Sequence, residues 1–262
     1  MNTDDIKTHY NSAAQNRDTR LKSQSGNVAQ FNHRIRERVI ARFLKRFAPY
    51  SEGIDIGTGT GVWAEILARM TSKVLGVDFA EENIRIASIN AEHLGLNERV
   101  SYALGNAQTL EHIPSGRHDV AIQISVLQHL PDKAGSIARI EEILSPGGVL
   151  VMLVHNRKCV YNRNLRLQQK REKRLSVNEY VSLPELLALV RGVGLEVVEV
   201  RHCWLFVNDL VYLGASWPLL RPLAPVRRVA VELLALLDQM LGGSYVLSPL
   251  FREIVILARK PD

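Results

Sequence analysis

The spacing of apolar positions changes character three times along the chain. Between Val28 and Phe47, apolar residues recur every four positions (Phe31, Ile35, Val39, Phe43, Phe47) with Arg and Lys between them. That period predicts a helix with one apolar stripe. From Gly53 short apolar runs alternate with amphipathic stretches. "GIDIG", "KVLGVD", "RVSYALG", "DVAIQISV" and "PGGVLVMLVH" read as strands, while "VWAEILARM", "AEENIRIASINAEHLG" and the stretch through "AGSIARIEEIL" read as helices. Strands alternating with helices predict a parallel sheet carrying helices on both faces. Near-continuous apolar strands are what such a doubly covered sheet requires.

After His155 the rhythm breaks. "NRKCVYNRNLRLQQKREKR" is polar and basic, "LPELLALVRGVG" predicts a short helix, and "LEVVEVRHCWLF" and "FREIVILARK" predict two more strands around a long apolar insertion, Val207–Pro249. The expected organisation is an N-terminal arm and helix (1–50), a core (51–206), a helical cap (207–249) and the last core strand (250–262). Within the cap, apolar residues at 226, 229, 230, 233, 234, 237, 240 and 241 form one stripe, with Arg227, Arg228, Glu232, Asp238 and Gln239 opposite. The stripe is expected to pack over the sheet edge and wall an apolar pocket. A helix lying on a membrane surface is the alternative, with Trp217 and the two arginines at the interface.

Composition narrows the class. A chain of 262 residues, 46% hydrophobic, suits one large globular domain or one domain with a smaller lid. The polar start "MNTDDIKTHYNSAAQNRD" has no apolar stretch of the secretory kind. No run approaches the ~20 apolar residues of a membrane span. The two cysteines make neither a disulfide framework nor a metal cluster, and they fit a reducing cytoplasm. A net charge of +6 permits an acidic partner without requiring one.

The chemistry concentrates at "GIDIGTGTGVW". In an open α/β sheet, ligands sit at the carboxyl ends of the strands, and the first strand ends at Ile56. A dinucleotide fingerprint would read G-x-G-x-x-G. Here the pattern is G-x-G-x-G, position 62 is Val, and Asp55 would repel a pyrophosphate. A ligand with a positive centre removes the conflict. S-adenosylmethionine carries a sulfonium and an α-ammonium and no phosphate. The glycines let the backbone approach it, the helix starting near Val62 points amides at its carboxylate, and Asp55 attracts its cationic groups directly or through water.

From Gly53 to Lys260 the chain resembles the class I S-adenosylmethionine-dependent methyltransferases of the small-molecule type. "DIGTGTG" is similar to that family's first motif, "VLGVDFAEENI" to its second, "GNAQTL" to its third, "HDVAIQISVLQHLPD" to its fourth, and "ILSPGGVLVML" to the strand turn that follows. The resemblance implies a Rossmann-like, doubly wound, mostly parallel seven-stranded α/β sheet with an N-terminal helical lid and a helical insertion before the last strand. It implies a cofactor site of Asp55, Gly57, Thr58, Gly59 and Gly61, with Asp78 accepting both ribose hydroxyls. Phe79 would pack beside the adenine, and Asn106 and Ala107 would meet its edge, Asn106 standing where the family often has Asp. Tyr10, in "HYNSAA", resembles an aromatic residue that closes over the cofactor.

The acceptor is less legible. His129, just after the fourth strand, is the candidate to take a proton from an acceptor hydroxyl or amine; His9 and His155 are further rim candidates. The eight Lys and Arg of Arg157–Arg174 suit an acidic acceptor if the segment overhangs the site. The Asn/Asp-Pro-Pro-aromatic segment of DNA-amino methyltransferases is missing. "VLQHLPD" resembles enzymes of small metabolites: quinone, lipid, sugar or secondary-metabolite precursors. Two alternatives stand. The N-terminal arm is similar to that of messenger RNA cap guanine-N7 methyltransferases, although Thr60 stands where that family has Lys and Gln128 where it has His. A non-catalytic cofactor-binding protein would use the same fold.

Overall fold

The computed structural model describes residues 11, 28–171, 179–205, 233 and 236–262. Helix α1 (Val28–Lys45) leads into β1 (Tyr50–Ile56), α2 (Val62–Leu67), β2 (Thr71–Asp78), α3 (Glu81–His93) and β3 (Val100–Leu104). Next come β4 (His118–Ile124), a single 3₁₀ turn (Leu127–His129), α4 (Lys133–Ile143) and β5 (Leu144–His155). The chain continues through α5 (Val160–Arg171), α6 (Leu183–Gly192), β6 (Glu196–Leu205) and β7 (Phe251–Arg259).

The strands form one seven-stranded sheet in the order β3-β2-β1-β4-β5-β7-β6. The first five pair parallel, and β7 runs antiparallel between β5 and β6. The order reverses between β1 and β4, so the ligand crevice of a doubly wound sheet falls there. Because β7 is reversed, His155 pairs with Glu253 and Leu205 with Phe251. The start of β7 thus joins the ends of β4, β5 and β6 on one rim.

β5 shows why its sequence is almost wholly apolar. Leu150, Met152 and Val154 face a core with Ile137 and Ile140 of α4 and Leu186 and Val190 of α6. Val149, Val151 and Leu153 face the opposite core, with Phe43 and Leu44 of α1 and Leu67 of α2. Both faces are buried, so alternation disappears. α6 starts at a capping box in which Ser182 and Glu185 satisfy each other's backbone amides.

Two expectations change. The basic stretch after β5 contains α5, which no apolar stripe announced. Its anchors are polar: Asn162 Nδ2 donates to the Asn156 carbonyl at 2.9 Å and the Arg252 carbonyl at 2.7 Å. The described part of the cap departs from the expected packing. Among its described residues, Leu233, Leu237 and Met240 are exposed while Asp238 is buried. Its end docks on β6 through the backbone: His202 N donates to the Gly242 carbonyl at 2.7 Å. A Cβ on Gly242 would lie 2.4 Å from the His202 carbonyl. Residues 226–232 and 234–235 lie outside the described residues. No helix among the described residues is long and apolar enough to cross a membrane.

Candidate cofactor and acceptor site

The loop after β1 carries three left-handed glycines, Gly57, Gly59 and Gly61, with φ of 73°, 55° and 91°. Their surroundings differ. A Cβ at Gly57 would lie 2.4 Å from Val126 Cγ2, and one at Gly61 would lie 2.5 Å from the Tyr102 hydroxyl. A Cβ at Gly59 would meet nothing within 4 Å. The outer glycines are therefore pressed into the protein, while Gly59 presents bare backbone to an open cradle. Side-chain-free backbone facing open space suits a nucleoside ligand pressed against the loop.

Asp55 lies beneath this loop, not at its opening, and only 1% of it is exposed. Thr58 Oγ1 donates to its Oδ2 at 2.6 Å, and the Ala64 amide also donates to it. Burial raises the Asp55 pKa to about 7; Asp78 adds to the rise, and the bonds from Thr58 and Ala64 oppose it. Both carboxyl oxygens are therefore shielded from the open side of the loop.

Asp78 ends β2. Its Oδ2 accepts from the Gly59 amide at 2.9 Å; its Oδ1 accepts from the Ala80 amide at 2.9 Å and Asn83 Nδ2 at 3.1 Å. Oδ1 is saturated, and Oδ2 keeps one lone pair. That leaves Asp78 one place for a further donor; the expectation from the resemblance is of two ribose hydroxyls. Asn106 is exposed next to Asp78, its Oδ1 accepting from the Gln108 amide at 2.9 Å, with Ala107 buried behind it and Phe79 half-buried. Tyr10 and His9 lie outside the described residues. Their neighbour Asn11 is described, and its Oδ1 accepts from the Glu82 amide at 3.1 Å. That bond sets Asn11 against the first turn of α3, beside Asp78.

Sequence reasoning missed Tyr102, which lies under the loop. A Cβ on Gly76 would come within 2.4 Å of its ring. The signal was there: a glycine inside the strand "KVLGVD" marks a close approach.

The acceptor rim is polar and tightly cross-linked. Gln128 Nε2 donates to the Ser125 carbonyl at 2.7 Å and lies 3.3 Å from His129 Nε2. Ser125 adopts φ of 60°, a strained value for a non-glycine residue. The Glu179 amide donates to the Gln128 carbonyl at 3.1 Å, bringing Tyr180 to the rim. The Tyr180 ring packs 5.3 Å from the His155 ring. His155 Nδ1 is 3.6 Å from Glu253 Oε1. Glu253 is fully buried and held by both arms of Arg36, Nε reaching Oε2 at 2.9 Å and Nη2 reaching Oε1. Cys203 Sγ donates to Glu253 Oε2 at 3.4 Å. Arg252 stacks between Tyr161 and Trp204, 4.0 Å from each ring centroid.

Burial pushes the His155 pKa down to about 4; Glu253 pulls it up, while Arg36, Arg252 and His129 push it down. Burial acts to raise Glu253, but the Arg36 charge and hydrogen bonds prevail and hold it below the usual carboxylate range. Of the sequence candidates, the fold gathers Asp55, the glycine loop, Asp78 and Asn106 at one rim, with His129 and His155 beside them. Arg36, Arg252 and Glu253 were missed, because the pairing of a helix near residue 36 with a strand near residue 253 is visible only in three dimensions.

Comparison with known proteins agrees with this geometry. Residues 29–200 match the family model described as a methyltransferase domain. Over 104 residues the chain is 34% identical to ubiquinone biosynthesis O-methyltransferase of Psychrobacter arcticus, covering 40% of each chain. Over 170 residues it is 28% identical to the Cereibacter sphaeroides protein of the same name, covering 63% of this chain and 65% of that one. The matches thus span between two fifths and two thirds of these relatives. The fold overlays a chain of the complex between the Haloferax volcanii Trm112 methyltransferase activator and a methyltransferase. There the TM-score is 0.64 at 17% identity, covering 97% of this chain and 98% of that one. With a matching domain model over most of the core, an acid-backed glycine loop and a sheet reversed at β7, the chain belongs to the class I S-adenosylmethionine-dependent methyltransferase family.

Proposed function

We propose that the protein transfers a methyl group from S-adenosylmethionine to a hydroxyl oxygen of a small biosynthetic acceptor. The observation that carries this reading is the bare Gly59 backbone set above two neighbouring carboxylates, Asp55 and Asp78, with a histidine-lined rim alongside. Such a cradle favours a cationic nucleoside and disfavours a phosphorylated one. The names of the ubiquinone-biosynthesis O-methyltransferase relatives support oxygen as the atom methylated and a quinone precursor as the acceptor class; they do not favour the RNA alternative or a non-catalytic role.

When bound, the cofactor supplies an electrophilic methyl group. The chain's own residues do the rest. Gly57, Thr58, Gly59 and Gly61 shape the cradle, Asp78 holds one ribose hydroxyl, Asn106 and Ala107 meet the base edge, and Phe79 packs beside it. Asp55 supplies negative potential beneath the ligand's positive groups. His129 touches the acceptor oxygen at the rim. Holding nucleophile and methyl in line is worth up to ~7–11 kcal/mol in well-oriented models. The apolar side chains left exposed at residues 233–246 support a surface that meets a lipid-like acceptor, with membrane contact at the surface only.

Calorimetry with S-adenosylhomocysteine tests the cofactor half of the proposal, and methyl transfer to a panel of prenylated and unprenylated catechols tests the acceptor half. Undetectable cofactor binding refutes the whole reading. Binding with transfer to amines but not to catechols refutes the hydroxyl assignment.

A further inference from the structure

Two histidines stand at the rim, and their surroundings assign them different roles. Gln128 Nε2 carries only protons. One goes to the Ser125 carbonyl at 2.7 Å, and the other faces His129 Nε2 at 3.3 Å. Turning the amide over would set its oxygen against the Ser125 carbonyl oxygen, so the orientation is fixed by the partner. His129 Nε2 must therefore accept, which places the proton of the neutral ring on Nδ1. The lone pair of His129 is engaged.

His155 is arranged the other way. Its buried Nδ1 has no hydrogen-bond partner among the described residues and faces Glu253 Oε1 at 3.6 Å. The side chain keeps 18% of its surface exposed. A carboxylate facing Nδ1 favours the tautomer with its proton there, which leaves Nε2 with a free lone pair on the other side of the ring. Glu253 cannot take that proton readily, because Arg36 grips both its oxygens. A base oriented by a carboxylate, itself fixed by a third group, is the logic that activates acceptors in many unrelated enzymes. Contacts of 3.6 Å in a free site shorten when the reacting complex forms.

We infer that His155, oriented by the buried Glu253–Arg36 pair, takes the acceptor's hydroxyl proton, and that His129, whose Nε2 lone pair is engaged by Gln128, does not. The inference rests on the O-methyl-transfer reading above. The O–H bond breaks and its proton passes to His155 Nε2. The oxygen's electron pair forms the bond to the methyl carbon. The carbon–sulfur bond breaks and its pair stays on sulfur, which becomes neutral. The imidazolium is stabilised by Glu253 and later gives its proton to water. Among the described residues, the charged or titratable groups around His155 are Glu253 and Arg252 on β7, Arg36 on α1, His129 after β4 and Tyr180 before α6. Burial outweighs the pull of Glu253 and keeps the free ring neutral through the physiological range, so its lone pair is unprotonated. Helix α1, which contributes Arg36, becomes part of the acceptor site as well as of the core.

The test uses the full chain with two readouts. Nitrogen-15 NMR of the histidines, with S-adenosylhomocysteine bound, reads the tautomers; methyl transfer to a catechol probe reads the chemistry. His155 should be protonated on Nδ1, and Glu253→Gln should weaken that preference. His155→Gln should lower kcat at least 100-fold, with S-adenosylhomocysteine affinity within twofold of the unmodified protein. His129→Gln should raise the acceptor KM more than it lowers kcat, and Glu253→Asp should restore part of the rate lost in Glu253→Gln. A His155 ring protonated on Nε2, or a His155→Gln variant within threefold of full kcat, overturns the inference. If the unmodified protein binds no S-adenosylhomocysteine and methylates no catechol, the functional reading fails instead, and the tautomer measured on the free protein decides the dyad by itself.

Discussion

Cofactor binding should weaken as pH falls below 7, and the cause lies in Asp55. The free protein holds this carboxyl beneath the glycine loop with a pKa of about 7, chiefly through burial. A sulfonium and an α-ammonium bound above it favour the ionised form, returning the group toward the ordinary carboxylate value of about 3.9. Binding then requires the proton to leave. At pH 6 only about one tenth of the free protein is ionised at a site titrating near 7, so affinity should be about tenfold below its plateau, or about 1.4 kcal/mol. Close to one proton should be released per ligand at pH 6, and about half a proton at pH 7. The ligand's own α-ammonium stays protonated below about pH 7, so it does not confuse the window. Titration calorimetry at pH 5.5, 6 and 7, each in two buffers of different ionisation enthalpy, measures affinity and proton release together. Asp55→Asn should abolish the pH dependence and leave a weaker, flat affinity. A flat affinity for the unmodified protein across this window, with binding enthalpy independent of buffer, would refute the reasoning. Without ligand the sign reverses for stability. The folded state keeps a proton that the unfolded chain loses from about pH 4 upward, so this group's contribution declines as pH rises toward 7.

Three further outcomes follow from the same geometry. Gly59→Ala should cost the fold about 1 kcal/mol for its left-handed backbone yet lower cofactor affinity by more than tenfold, since the new methyl enters the open cradle. Gly57→Ala should instead lower the thermal midpoint strongly, because its methyl collides with Val126; thermal melts with and without S-adenosylhomocysteine separate the two variants. Asp78→Ala removes an acceptor of three internal hydrogen bonds as well as one ribose contact, so calorimetry should show at least a tenfold loss of cofactor affinity, consistent with about 1.5–3 kcal/mol for a charge-assisted bond; unchanged affinity refutes the ribose assignment. His155 stays neutral down to about pH 4, whereas an unfolded chain protonates it near 6.5, so stability should fall as pH drops across that window by up to about 3 kcal/mol. Urea titrations at pH 7, 5.5 and 4.5 should show a shallower fall for His155→Gln than for the unmodified protein.

Most of the cofactor half was legible because it is local. The strand, the glycine loop and the next helix are consecutive in "GIDIGTGTGVW", and left-handed backbone needs glycine wherever it falls. Asp78 was legible for the same reason, since it follows the loop after one helix and one strand. The role of Asp55 was only half legible. Its charge and its conflict with a phosphate ligand follow from the residue alone. That it lies under the loop, perturbed by burial and by Asp78, follows from how β1 and β2 align in the sheet.

The strand pattern and the doubly covered sheet came from the sequence, because apolar periodicity reports local burial directly. The packing of the cap helix did not. A stripe says that one face is apolar; it does not say that the end of the cap docks through Gly242 against His202 on β6. Helix α5 was hidden for a related reason: its anchor is Asn162 bonding backbone carbonyls, which leaves no periodic trace. The acceptor rim depended on tertiary structure almost entirely. Arg36 and Glu253 are 217 positions apart, and nothing in either neighbourhood names the other. The sequence by itself determined the cofactor's chemical class, because that recognition is made by contiguous backbone. Only the folding of α1 and β7 onto one edge decided which histidine stands against a buried, arginine-held carboxylate, because that property belongs to partners that meet in space and not along the chain.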